Sequence, residues 1–309
     1  MKKPFDYLQG HTPEIQAIVW SVSSSFWFAL MAVFIQHSSN LMNPMVMVFG
    51  RNVCSLLFLM PFIHGNFKKL IFTKRLHFHF ARSSIGAVGM MLWFYSLTIM
   101  PVNNAIALSF TAPLFTTILA VIFLSEKVGY HRMIALVIGF LGALIILRPG
   151  TSAFHVQSLI VLVTTCFWAL ASVFMKMLSR TEKPITIVFY FTLIMIPVSF
   201  PFAYMHWETL TLTDMLVLLA IGVSSSLGQL SLTTAISKTD TSFVVQFDFF
   251  RLIFASIFAY IAFHQTLDQP VLIGAVIITV STIYIARREA KLSHRKKAKI
   301  ESIKTEILQ

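Results

Sequence analysis

Apolar residues along the chain fall into ten runs separated by short polar segments: 16–36, 44–64, 80–98, 104–124, 132–147, 156–178, 186–204, 215–236, 241–263 and 271–286. A helix needs about 20 apolar residues to cross roughly 30 Å of hydrocarbon. Most runs meet that length, and the fifth and tenth are the short ones. Inside a bilayer every backbone N–H and C=O must be bonded within the protein, which helices and closed barrels achieve. The runs lack the apolar–polar alternation of barrel strands. The pattern therefore predicts an all-α integral membrane protein with ten transmembrane helices, and the short connections leave no room for a soluble domain.

The ninth run, TSFVVQFDFFRLIFASIFAYIAF, departs from the pattern with Asp248 and Arg251. A charge at mid-bilayer costs about 2.5–3.5 kcal/mol on insertion scales and faces protein or water rather than lipid. Three residues apart on a helix, the two can pair with each other, and a self-neutralising pair that makes the helix insertable is one reading. The other is a clamp on a zwitterionic ligand, Arg251 gripping a carboxylate and Asp248 an ammonium or sulfonium. Asp248, the one clear carboxylate deep in a run, is also a candidate for binding a coupling proton.

Lys and Arg gather in alternate connections. Lys2, Lys3, Lys68, Lys69, Lys74, Arg75, Lys127, Arg132, Arg180, Lys183, Lys238 and the basic tail fall on one side, whereas Arg148 stands on the other. The positive-inside bias puts both termini in the cytoplasm, in the inner membrane if the source is bacterial. The net charge of +12 thus reports loop topology, not nucleic-acid binding. The tail, with Ile300, Ile303 and Ile307 at helical spacing, could rest on anionic lipid.

Shifting the first run by 140 aligns Ala29, Leu30, Val33 and Phe34 with Ala169, Leu170, Val173 and Phe174; a shift of 139 pairs Gly89 with Gly228 and Phe110 with Phe249. The constant offset predicts two copies of a five-helix unit. An odd number of spans inverts the second copy, an arrangement recurrent among transporters that bind solute between the halves.

The residues Trp93-Phe-Tyr-Ser-Leu-Thr-Ile-Met-Pro101, Ala105-Ile-Ala-Leu-Ser-Phe-Thr-Ala-Pro-Leu-Phe115, Phe123-Leu-Ser-Glu-Lys127 and Gly139-Phe-Leu-Gly142 resemble the EamA-type repeat of the drug/metabolite transporter superfamily. So do Lys238-Thr-Asp-Thr-Ser242, Phe249-Phe-Arg-Leu-Ile253 and Phe263-His-Gln-Thr-Leu-Asp268 with Gly274 in the second copy. The resemblance implies a cytoplasmic segment 1–15, repeats at 16–148 and 156–286, and a basic cytoplasmic tail 287–309. It also implies carriage of a small organic metabolite by alternating access, with helices one, three, four, six, eight and nine lining the cavity. Gln265 stands where the second repeat usually has an acid, the ninth run lacks a match for Pro113, and Asp248 is not a general family feature. The aromatic pair before Arg-Leu-Ile is most similar to the branch of S-adenosylmethionine uptake carriers and riboflavin importers, so S-adenosylmethionine or a similar zwitterionic or aromatic metabolite is the expected substrate. Export of amino acids or drug-like metabolites is the alternative within the family, and a non-transporting receptor or scaffold the alternative outside it.

Further candidate substrate contacts are Gln229, whose amide needs several partners, Ser225 beside it, and Trp27, Trp93, Tyr95 and Trp168, whose rings could stack on an aromatic solute or hold a cation. Interhelical hydrogen bonding and core packing are the plainer readings of the same residues. Met31, Met90, Met91 and Met175 suit an adaptable lining. Arg51 could contact substrate, snorkel or meet a helix end; Lys176 should snorkel, and Pro113 should kink the fourth helix. His77 and His79 lack a third ligand, and Cys54 and Cys166 lack a Cys cluster, so no metal, cofactor or disulfide framework is expected. No His-Glu-x-x-His or Gly-x-Ser-x-Gly occurs, so an enzyme is not expected. The expected assembly is a monomer or homodimer.

Overall fold

The computed structural model describes residues 13–63, 73–112, 114–115, 118–119, 130–148, 158–239, 244, 247–284 and 287. Among them the chain forms ten helices and no strand: α1 (Pro13–His37), α2 (Pro44–Ile63), α3 (Leu76–Ile99), α4 (Val102–Ser109), α5 (Tyr130–Leu147), α6 (Ser158–Ser179), α7 (Pro184–Tyr204), α8 (Leu212–Lys238), α9 (Phe250–Phe263) and α10 (Gln269–Tyr284). By length and composition α1, α2, α6, α7 and α8 can each cross a membrane, and α5, α9 and α10 hold shorter apolar stretches. The basic tail and Pro113 lie outside the described residues.

Local chemistry sets several boundaries. α1, α2 and α7 each open on a proline, which lacks only an N–H that the first turn would leave unbonded anyway. Pro44 and Pro184 are repeat-equivalent at the shift of 140. α8 opens on a capping box, Asp214 N–H donating to Thr211 Oγ1 (3.2 Å) and Thr211 N–H to Asp214 Oδ2 (2.8 Å), which satisfies two end donors at once. α9 stops at His264, held in the left-handed region at φ 53°. Across the loops Arg148 meets Asp268 at 3.0 Å, an exposed pair of small energetic value.

Packing follows the inverted repeat. α1 lies along α8, and its counterpart α6 lies along α3; α2 packs on α8 as α7 packs on α3. The matched glycines make these approaches possible. A Cβ on Gly228 would sit 2.8 Å from the Phe28 ring, and one on Gly89 2.9 Å from the Trp168 ring. Phe28 and Trp168 are themselves equivalent at 140. α5 and α10 cross where Gly142 faces the Gly274 carbonyl, at 2.9 Å from a would-be Cβ.

The fourth and ninth runs, expected as continuous spans, are both interrupted at the same place in the repeat. α4 ends at Ser109 and passes through a turn at Phe110 and Thr111, while a turn at residues 247–249 precedes α9. Backbone bonds shorten to three-residue steps: Thr111 N–H to Leu108 C=O (3.1 Å), Phe250 N–H to Phe247 C=O (3.2 Å) and Arg251 N–H to Asp248 C=O (2.9 Å). Hydroxyls assist. Thr111 Oγ1 donates to Leu108 C=O at 2.7 Å and lies 3.2 Å from Thr165 Oγ1 on α6; Ser25 Oγ on α1 donates to Phe247 C=O at 3.3 Å. Ser25 and Thr165, like Leu108 and Phe247, are repeat equivalents. Irregular backbone at membrane depth is tolerated where protein or a cavity surrounds it, and here the two turns meet, the Phe110 and Phe249 rings lying 6.2 Å apart.

Candidate functional site

Beside the two turns lies a cavity of about 230 Å³, walled by residues of both repeats. α1 contributes Ser21, Ser24, Ser25, Phe28 and Met31; α3 runs from Arg82 to Phe94; α6 gives Trp168 and Met175; α8 gives Gln229. Asp248, Phe249 and Arg251 close the side toward α9, and Thr279, Thr282 and Ile283 on α10 lie at one end. These positions run from just past mid-helix toward the face where α1 and α3 begin and where α6, α8 and α10 end. Toward the opposite face Ile35, Met47, Leu97 and Ile106 are fully buried.

Asp248 and Arg251 face the cavity as an ion pair, 2.5 Å between Oδ1 and Nη2, with side chains 32% and 12% exposed. The Arg251 guanidinium also lies 5.1 Å above the Phe28 ring, an attraction that strengthens away from water. The turn at 247–249 presents Asp248 one helical turn below Arg251, so the broken backbone that costs regular bonding also aims the charge inward. Gln229 lines the same space and its Oε1 has no hydrogen-bond partner. Trp93 and Trp168 meet at 4.9 Å between centroids, inclined at 51°, and form the wall across from α9.

The remaining sequence candidates are distributed differently. Trp27 packs edge-on against Phe26 at 5.1 Å, outside the cavity lining, and Tyr95 turns outward, 43% exposed. Met31, Met90 and Met175 line the cavity and Met91 does not. Ser225 lies behind the wall, where its Oγ accepts from Arg51 Nε at 2.7 Å and from Nη2. Arg51 is 2% exposed and does not snorkel; its Nη1 donates to Asn52 Oδ1 at 3.0 Å and approaches Met90 Sδ. The repeat-equivalent contact is Phe191 on Gly86, so a polar bond in one half answers an aromatic contact in the other. Lys176 caps α8, with Nζ 3.0 Å from Thr239 C=O and 3.3 Å from Ile236 C=O. His77 and His79 do not converge: their rings pack on Phe78 and Tyr190, at 4.3 and 4.5 Å.

Sequence reasoning missed Arg82 and the α1 hydroxyls. Ser21, Ser24, Ser25 and Phe28 stand at i, i+3, i+4 and i+7, a single helical face, and that spacing was a usable signal. Arg82, near the start of the third run, is 4% exposed, its guanidinium 4.3 Å above the Phe191 ring.

Ser225→Ala leaves Arg51 Nε without its acceptor. Loss of a buried partner of a charged group costs about 1–3 kcal/mol, so a lowered apparent melting point is expected in detergent, with Ser225→Thr close to wild type. Identical melting of Ser225→Ala and wild type would remove that hydroxyl from the account of Arg51.

Known proteins are similar in sequence to this one over most of its length. Residues 15–148 and 157–287 match the model of the EamA-like transporter family. The S-adenosylmethionine uptake transporter of Rickettsia felis is 34% identical over 248 residues, 80% of this chain and 84% of that protein. The riboflavin transporter of Vibrio cholerae is 30% identical over 292 residues, covering 93% and 98%, and the pseudopaline exporter of Pseudomonas aeruginosa is 27% identical over 272 residues, covering 87% and 95%. A solved crystal structure superposes with a TM-score of 0.63 over 88% of this chain and 98% of that one at 12% identity, a likeness of fold. With two matched repeats packed as inverted copies about a shared cavity, the chain belongs to the EamA-like transporter family.

Proposed function

We propose that the protein is a secondary transporter that moves a small zwitterionic aromatic metabolite by alternating access, with S-adenosylmethionine as the leading substrate. The observation that carries this reading is the cavity itself, where an aromatic wall of Trp93 and Trp168 faces an acid–base pair at the junction of the two repeats. An adenine ring suits the tryptophans, a sulfonium or ammonium suits Asp248 and the electron-rich ring faces, and the carboxylate finds arginine. Relatives named as S-adenosylmethionine uptake transporters and riboflavin transporters favour a planar aromatic solute. With the termini in the cytoplasm, the cavity lies on the inner side of the buried residues Ile35, Met47, Leu97 and Ile106, as in an inward-facing carrier, and rocking of one repeat against the other would carry the solute across.

The experiment is uptake of labelled S-adenosylmethionine by proteoliposomes preloaded with unlabelled compound. Saturable counterflow above protein-free vesicles is the expected result. Ligand-induced stabilisation of the purified protein with no flux would instead describe a receptor and end the carrier reading.

A further inference from the structure

Resting on that carrier reading, we propose that the solute carries an anionic group, a carboxylate or a phosphate ester, and that Arg82 is the residue that receives it. Three arginines line the cavity, Arg51, Arg82 and Arg251, against the single carboxylate of Asp248 among the described lining residues. Arginine stays protonated in proteins, so the described walls hold an excess of positive charge at membrane depth. Such charge is costly unless an anion matches it.

The three differ in what they have left to give. Arg251 has its charge matched by Asp248 at 2.5 Å, although its buried Nε has no partner. Arg51 spends Nε, Nη1 and Nη2 on Ser225, Asn52 and Met90. Arg82 has no carboxylate partner among the described residues: Nη2 makes a 3.6 Å contact with Met175 Sδ, and Nη1 is buried without any hydrogen-bond partner. Its plane is seated on the Phe191 ring, which in turn is lodged against Gly86, where a Cβ would come within 2.8 Å. The ring lies against the guanidinium and offers it no hydrogen-bond acceptor, so Nη1 is left for an oxyanion. Ser24 Oγ, also in the lining, is a further buried hydroxyl without a partner, a neutral donor in the same cavity. Asp248 repels the oxyanion from the α9 wall, so the solute's anion lies on the α3 side and its cationic or donor end on the α9 side.

Two pairs of probes isolate the group. S-Adenosylmethionine and its decarboxylated form differ by a carboxylate, and flavin mononucleotide and riboflavin differ by a phosphate. Binding of all four to purified wild type, Arg82→Lys and Arg82→Gln is measured by thermal shift and titration. In at least one pair the anionic member should bind wild type at least about tenfold more tightly than its partner, and the pair that responds names the group. Arg82→Gln should erase that ratio while leaving the uncharged-end member unaffected, and Arg82→Lys should keep part of it. Equal binding within both pairs, no binding of either anionic member, or an undiminished ratio in Arg82→Gln overturns the proposal. Should Arg82→Gln fail to fold, the wild-type ratios and Arg82→Lys decide. Flux of the same probes in vesicles separates the two ideas: anion-selective binding without flux retires the carrier reading alone, and flux without anion preference retires the Arg82 site alone.

Discussion

Asp248→Ala is expected to be the most damaging single change in the cavity, lowering stability by about 2–4 kcal/mol and uptake by more than about tenfold. The substitution strands Arg251, which is 12% exposed, has a buried Nε without a partner and is left with the Phe28 ring. Arginine cannot shed its charge. Arg251→Ala should be milder for folding, because the stranded carboxylate can neutralise itself with a proton. The double variant Asp248→Asn, Arg251→Gln removes both charges, keeps the shape of the acid and leaves a shorter neutral amide for the base, so it should regain most of the stability lost by Asp248→Ala. Unfolding in mixed micelles and vesicle uptake then separate two roles. A double variant that folds but does not transport marks the pair as a solute contact. Wild-type uptake in the double variant would reduce the pair to a device for inserting the ninth segment.

Gly222→Ala should rival it, through packing alone. A Cβ there would lie 2.5 Å from Cys54 Cβ, 2.9 Å from Ser55 N and 3.1 Å from Arg51 C=O. These atoms belong to or adjoin the backbone of α2 and cannot turn aside, and Ser55 Oγ donates to the Gly222 carbonyl at 2.9 Å across the same seam. Overpacking of this kind costs about 1–3 kcal/mol, and it also tilts α2, displacing Arg51 from Ser225. Gly228→Ala meets the Phe28 ring instead, a side chain that can swing, so its cost should appear in binding more than in melting. The measurement is the apparent melting point of both variants in the same detergent. Equal destabilisation by the two would show that contact with backbone is not what distinguishes them.

The fold was legible because a bilayer leaves few choices. Each of the ten apolar runs holds a helix among the described residues, and the constant offset between halves reappears as matched contacts, Phe28 on Gly228 and Trp168 on Gly89. The interruptions in runs four and nine were not legible: apolar composition sets membrane residence and is silent on whether a hydroxyl at Ser25 or Thr111 replaces a helical bond. The site was half legible. Asp248, Arg251, Gln229, Trp93 and Trp168 face one cavity, since polar or amphipathic groups in apolar runs turn inward together. Trp27 and Tyr95 do not, because a tryptophan or tyrosine suits a packed seam or an outer surface equally well. Arg82 was hidden by its position at the start of a run, where cations commonly reach for the interface; only the ring of Phe191 from the other repeat shows that this one points inward.

The unequal hydroxyls at the two turns imply that the halves are mechanically unlike. Leu108 C=O takes its hydroxyl from Thr111 within its own turn, whereas Phe247 C=O, its repeat equivalent, takes one from Ser25 on a different helix. Phe250 fills the place of Thr111 and has no hydroxyl to offer. Separating α1 from the ninth segment would therefore cost the bond to Phe247 C=O, about 1 kcal/mol, while separating α6 from the fourth segment would cost the Thr111–Thr165 hydroxyl contact and leave the bond from Thr111 to Leu108 C=O in place. Removing the hydroxyl with Ser25→Ala would loosen the ninth segment alone, because the turn at Leu108 carries its own.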